Sequence, residues 1–166
     1  MGFFKWRTHP GGSPGFSLAE LMVGLVLTGI MLSASIPPLS RYLRDHQLQG
    51  WAENMSADLR LCRQRAVAQG NNFVFSWDAV AGSYAILDDR NDNGAADAGE
   101  PTIGPRRMPD TLILTNGPDN AFAGTSVTFL PSGGASQGGQ VTLANQAGMS
   151  RVIQLLRPTG LVRTLS

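Results

Sequence analysis

Gly15-Phe16-Ser17-Leu18-Ala19-Glu20 opens the stretch on which the fold turns, and from Phe16 to Ile36 the chain reads FSLAELMVGLVLTGIMLSASI, 21 residues with one charge, Glu20. As a helix at 1.5 Å per residue this run is about 31 Å long, enough for a hydrocarbon core of roughly 30 Å. Before it stands MGFFKWRTHPGGSPG, which carries Lys5 and Arg7 and no acid. Such a leader is not folded structure, and its cations place it on the cytoplasmic side with the remainder across the membrane.

Three readings compete for this region. A cleaved secretory signal fits the length, with Ser33-Ala34-Ser35 as the small residues at a late cut. A plain single-span anchor fits the hydropathy. Glu20 counts against both, because a carboxylate near the hydrocarbon costs several kcal/mol unless it finds a partner. The third reading accounts for the carboxylate. Gly15-Phe16 with Glu20 five residues into the mature chain resembles the processing site of type IV prepilins. The resemblance implies cleavage between Gly15 and Phe16 by a prepilin peptidase and methylation of the new Phe16 amine. It also implies docking of Glu20 onto the terminal amine of a neighbouring subunit. Opposite charges attract strongly in a low-dielectric core, so such a pair can set register.

Pro37-Pro38 follows the run. Proline inside a helix removes a donor and clashes with the preceding turn, so a kink or break is expected there, or simply the end of a membrane helix. Pro37 also falls where type IV pilins commonly carry a stem-bending proline. Helical periodicity then resumes: Leu48, Trp51, Met55, Leu59, Cys62 and Ala66 lie along one face, while Arg41, Arg44, Glu53, Asp58, Arg60, Arg63 and Gln64 fall largely elsewhere. Gly70-Asn71-Asn72 ends the helix. Cys62 reads as a small buried apolar residue and His46 as a solvated one.

The whole chain has 166 residues, 42% apolar, 15% charged, with 20 Gly and 10 Pro, and a mean hydropathy of −0.05. From Phe73 the period changes to two. Phe73–Trp77 and Ser83–Leu87 read as a hairpin around Ala81-Gly82; 111–115, 126–130, 140–144, 151–156 and 161–163 read as further strands. The expectation is an α+β protein: a long N-terminal helix, membrane-spanning then amphipathic, packed on a small, mostly antiparallel β-sheet head. Its parts are a cleaved leader (1–15), a transmembrane and filament-core helix (16–36), an amphipathic stem (37–70) and a periplasmic head (71–166).

Within the head the resemblance narrows. Arg65-Ala66, Phe129-Leu130-Pro131-Ser132-Gly133 and a last strand-turn-strand with Arg157 and Gly160 look like the GspH/FimT group of minor pilins and pseudopilins. That resemblance implies a subunit of a type II secretion system or type IV pilus-like filament that helps to prime assembly. The implied partners are the peptidase, other major and minor (pseudo)pilins and the inner membrane.

Two other constellations invite chemistry. Asp89-Arg90-Asn91-Asp92-Asn93-Gly94-Ala95-Ala96-Asp97-Ala98-Gly99-Glu100 fits the calcium-loop pattern D-x-[DN]-x-[DN]-G-x5-E. Asp89, Asn91, Asn93, the Ala95 carbonyl, Asp97 and Glu100 are its candidate ligands. A strand precedes it and Pro101 follows, where an EF-hand has two helices. Asp, Asn and Gly also favour turns for local reasons, so a plain polar turn is expected, with no cofactor and calcium as the alternative. Beyond Asp119 there is no acid, while Arg151, Arg157 and Arg163 give +3 over the last 47 residues. Some FimT-related members bind DNA through a C-terminal Gly-Arg-x-Arg. Gly160-Leu161-Val162-Arg163 keeps only the second arginine of that pattern, and three arginines supply few phosphate contacts. DNA is therefore the alternative partner.

Enzyme chemistry is not expected. One cysteine excludes a disulfide framework and a multi-cysteine zinc site. His9 and His46 form no cluster, no nucleophile triad is evident, and the Gly-rich loop at 132–139 lacks the Lys-Ser/Thr of a phosphate loop.

Overall fold

The structure, a computed structural model, describes residues 15–117 and 120–165, with the side chains of 34–38 excepted. The expected leader, up to Pro14, and the side chain of Pro37 therefore lie outside the described residues. The chain divides into two compact units, 1–40 and 41–166.

One helix, α1 (Leu18–Gln69), runs through both. Its helical assignment continues through Pro37 and Pro38, so the chain does not break there. The helix stops at Gly70, whose φ of +73° is the left-handed conformation that glycine adopts without strain. The Gly70 amide donates to the Ala66 carbonyl at 3.0 Å and closes the last turn.

Among the described residues of the second unit eight strands follow: β1 (Asn72–Asp78), β2 (Ser83–Asp89), β3 (Thr102–Arg107), β4 (Leu112–Asn116), β5 (Ser126–Phe129), β6 (Gly139–Asn145), β7 (Ser150–Leu156) and β8 (Leu161–Leu165). They form two four-stranded sheets rather than one, ordered β3-β2-β1-β5 and β4-β6-β7-β8. Every pairing within them is antiparallel. The hairpin expected around Ala81-Gly82 is β1–β2, and Asp78 Oδ1 shapes its turn by accepting from the amides of Val80 (2.8 Å) and Ala81 (2.9 Å).

β3 was not legible in the sequence, because Gly104 and Pro105 argue against a strand. It is an edge strand, where a proline removes no needed ladder bond, and its register slips between Tyr84 and Ile86 of β2.

Leu48, Ala52, Met55, Leu59, Cys62 and Ala66 are the buried stripe of α1 in this unit. They share one core with Phe73, Phe75, Tyr84, Ile86, Val127 and Phe129 of the first sheet and Leu114, Leu143, Ile153 and Leu155 of the second. Among its apolar members, Ala52 is buried where Trp51 was expected, and Trp51 is half-buried. Ala52 is part of the core, and Trp51 packs against its margin.

Candidate functional site

The N-terminal segment carries the first candidate site. Ser17 and Glu20 form a reciprocal capping box: Glu20 Oε2 accepts from the Ser17 amide (3.0 Å) and hydroxyl (3.2 Å), and the Glu20 amide donates to Ser17 Oγ (3.2 Å). The S-x-x-E spacing carries this signal in the sequence itself, alongside the docking role expected of Glu20. The acid also lies at the positive end of the helix dipole, where a carboxylate is favoured. Around it the large apolar side chains from Leu18 to Leu32 are 56% to 79% exposed. Leu21, Met22, Val23, Leu25, Val26 and Leu27 point in every direction around the axis, so no stripe is set aside for a partner within the chain. The hydroxyls of Thr28 and Ser33 donate back to the carbonyls of Gly24 (2.7 Å) and Ile30 (2.8 Å), which satisfies their protons within the helix. Phe16 is 90% exposed, and a Cβ on Gly15 would meet nothing within 4 Å. Among the described residues no helix is long and apolar enough to cross a membrane; the run of 16–36 extends into 34–38.

The Asp/Asn-rich loop after β2 is held by its own backbone. Asp89, 1% exposed, accepts from the amides of Asn93 (3.1 Å) and Gly94 (2.8 Å). Asn91 and Asn93 accept from the amides two residues on, and Glu100 accepts from the amides of Arg90 (2.9 Å) and Asp97 (3.2 Å). The Asp97 carboxylate takes the side-chain amides of Asn91 and Asn93, which hold its pKa below the ordinary value of 3.8. Asp92 and Gly94 have φ of 60° and 73°, the left-handed turns this composition allows. Among the described residues no three His, Cys, Asp or Glu side chains are gathered as metal ligands require.

Of the three C-terminal arginines, Arg151 is tied to Asp45 at 3.0 Å, while Arg157 and Arg163 are exposed. The fold does bring together the two head segments that carried the resemblance. Arg63 Nε, on α1, donates to the Gly133 carbonyl at 2.9 Å. A Cβ on Gly160 would lie 2.5 Å from that same oxygen and 3.0 Å from Arg63 Cδ. Gly160 also has a φ of +60°. Phe129–Gly133 and Arg157–Gly160 thus meet over Arg63, and the Ala135 amide bonds the Arg157 carbonyl at 3.1 Å.

Asp58, expected off the buried face, is a correction: it is 6% exposed. It follows Met55 by three residues and precedes Cys62 by four, which puts it on the edge of their stripe. Its Oδ2 accepts from the Tyr84 hydroxyl at 2.8 Å and meets Arg106 Nε at 3.4 Å. The carboxylate therefore ties α1 to β2 and to the unforeseen edge strand β3. Burial, then the bond to Asp58 and its charge, hold the Tyr84 phenol well above its ordinary value of 10.0. Burial, then the Asp58 charge, raise the Cys62 thiol from 9.0 to about 12. Cys62 is thus an inert core residue.

Residues 52–159 match the family model described as Type II transport protein GspH. The chain belongs to the GspH family.

Solved structures agree in fold with this GspH-family chain. The minor pseudopilin EpsH from the Type 2 Secretion System of Vibrio cholerae is 16% identical, with a TM-score of 0.55, over 72% of this chain and 97% of that one. The type IV minor pilin FimU of Pseudomonas aeruginosa is 18% identical, with a TM-score of 0.58, over 75% of this chain and 92% of that one. No curated protein sequence matches the chain. Membership places the protein among the structural subunits of pseudopili and pili, not among enzymes. The family match begins at Ala52, within the amphipathic stem, so Gly15, Phe16 and Glu20 stand outside it.

Proposed function

We propose that this GspH-family protein is a minor subunit of a type II secretion pseudopilus or a related type IV filament, held in the inner membrane by 16–36 until it is recruited. The head lies in the periplasm and the leader in the cytoplasm. Prepilin peptidase cuts between Gly15 and Phe16, and the Phe16 amine is methylated. The apolar helix then leaves the bilayer by packing against the helices of other pilins. One observation carries this reading: Leu18–Leu32 is apolar around its whole circumference, and no part of the described chain covers it. Such a helix is stable only inside lipid or inside a bundle of its own kind.

Glu20 has two tasks on this account. Before assembly the capping box keeps its carboxylate hydrogen-bonded; on assembly it exchanges Ser17 for the ammonium of a neighbouring subunit. Glu20→Gln separates the tasks, because glutamine can fill the capping-box position but carries no charge. The expected result is normal cleavage, mature N-methyl-Phe16 by mass spectrometry, and loss of incorporation into filaments. Gly15→Ala is expected to block cleavage. Wild-type protein that kept its first fifteen residues, or began near Ile36, would overturn the processing claim, and incorporation of Glu20→Gln at the wild-type level would overturn the docking role.

The alternative, DNA binding during uptake, is less well supported. Arg151 is engaged by Asp45, which leaves Arg157 and Arg163 as the exposed C-terminal cations. Two phosphate contacts give little salt-dependent affinity. A gel shift at low salt with no salt-sensitive retardation would end that reading.

A further inference from the structure

In the second unit the two flanks of α1 differ in charge. Asp58, Arg65 and Gln69 share one flank by their helical spacing. Asp58 meets Tyr84 and Arg106 there. Arg65 and Gln69 line a hollow with Asp88, Arg90, Pro101 and Ile103, where the Asp/Asn-rich loop leaves β2 and returns to β3. Arg60, Arg63, Gln64 and Val67 share the other flank. They line two adjoining grooves of about 150 and 270 Å³ with Arg63 and Gln64 in common, and Gly160, Leu161 and Val162 wall the smaller one.

Neither flank neutralises its charge within the chain. Arg60 and Arg63 donate to the carbonyls of Val162 (3.5 Å) and Gly133 (2.9 Å), while Arg157 and Arg163, on the turn and strand beside the groove, are exposed. Among the described residues none of these four meets a carboxylate. In the loop, Asp97 and Glu100 accept from amides alone, and Asp92 stands exposed at its left-handed turn. Arg90 is committed to Asp88 at 3.1 Å. Bonds to neutral carbonyls and amides fix a charged side chain without cancelling its field, so both flanks keep their charge for a partner. Their apolar parts also correspond. Val67 and Leu161 at the groove are 54% and 41% exposed, and the loop interleaves its acids with exposed Ala95, Ala96 and Ala98.

We propose that the loop 92–100 of a second copy of this chain docks along this groove. Its carboxylates face Arg60, Arg63, Arg157 and Arg163, and its alanines cover Val67 and Leu161. Two different surfaces meet, so the contact is heterologous: each copy keeps a free loop and a free groove, and copies add in series as a filament requires. The inference rests on the filament-subunit reading. A nucleic acid is the other polyanion to weigh, and its phosphates would leave Val67 and Leu161 uncovered.

The test uses the full chain purified in mild detergent. Gln64→Cys puts a thiol at the groove and Ala96→Cys one on the loop, both at exposed positions, while Cys62 is buried. A short bismaleimide is expected to link an equimolar mixture of the two variants, and to link either one alone poorly at the same total concentration. Adding Arg60→Gln/Arg163→Gln to the Gln64→Cys chain is expected to lower the yield roughly fivefold, two exposed ion pairs being lost. Arg60→Lys/Arg163→Lys is expected to keep most of it. Arg41→Gln/Arg107→Gln, which removes exposed cations elsewhere in the same unit, is expected to match the parent. The yield should also fall as salt rises. Equal linkage in the two glutamine backgrounds overturns the proposal, as does linkage of Ala96→Cys alone at the yield of the mixture. An unlinked mixture, with duplex DNA retarded by the parent chain and not by Arg60→Gln/Arg163→Gln, overturns it in favour of nucleic acid. Mass spectrometry of the mature amino terminus tests the filament reading separately: a retained leader refutes that reading whatever the linkage.

Discussion

Tyr84→Phe is the most informative single change in the head. It deletes one oxygen and leaves the ring stacked on Phe75, 5.1 Å away. The lost atom donates at 2.8 Å to a carboxylate that is itself buried. A hydrogen bond to a charged, buried acceptor contributes about 1.5–3 kcal/mol, roughly a ten- to hundredfold change in the folding equilibrium. The second partner, Arg106, has a side chain 46% exposed and a 3.4 Å contact, so its share is discounted for solvent screening. The bond also leaves a signature in pH. The folded phenol keeps its proton above the pKa of the unfolded chain, so the stabilisation is complete below about pH 10 and is lost as pH climbs from there toward the raised folded value. Its slope approaches 1.4 kcal/mol per pH unit. Cys62 adds a similar loss that begins near pH 9, because its thiol is raised from 9.0 to about 12. Urea unfolding of the 41–166 unit, in a Cys62→Ala background, isolates Tyr84. The expected results are a destabilisation of about 2 kcal/mol at neutral pH and a flatter alkaline limb for Tyr84→Phe. A cycle with Asp58→Asn should give a coupling of about 1 kcal/mol or more. A coupling near zero, or an unchanged alkaline limb, would refute the assignment of Asp58–Tyr84 as the tie between α1 and β2.

Three other outcomes follow from particular contacts. Gly160→Ala should cost at least about 2 kcal/mol, since the new Cβ meets the Gly133 carbonyl in a left-handed backbone, and thermal melting of the head reads it directly. Asp89→Ala, measured in chelator so that no cation contributes, should cost about 1–3 kcal/mol by stranding the amides of Asn93 and Gly94. Calcium at millimolar concentration should leave the wild-type melting temperature unchanged, and a rise of several degrees would show that the loop takes the ion. Cys62 should resist maleimide at pH 8 in the folded chain and react at once in urea; fast labelling of the native protein would contradict its burial and raised pKa.

Local pattern made much of this protein legible. Seven of the eight strands, the helix stop at Gly70 and five of the six residues of the buried stripe are matters of period and turn chemistry, which neighbouring residues encode. The processing motif is still more local, a few consecutive residues that an enzyme reads as sequence. Even the capping box of Ser17 and Glu20 lies in the S-x-x-E spacing, a local signal between residues three apart.

Contacts between distant segments were not legible in this way. Whether the strands form one sheet or two depends on which edges pair, and β3 exists because β2 offers an edge that tolerates Gly104 and Pro105. Asp58 sat one step from an apolar stripe, and only the arrival of Tyr84 and Arg106 made its burial affordable. Arg63, Gly133 and Gly160 have no pattern in common until the chain folds. Sequence by itself settled the periodic and motif-borne features, because their energies are summed over near neighbours; tertiary structure decided the partners of polar groups, because a buried charge is stable only where remote donors converge on it.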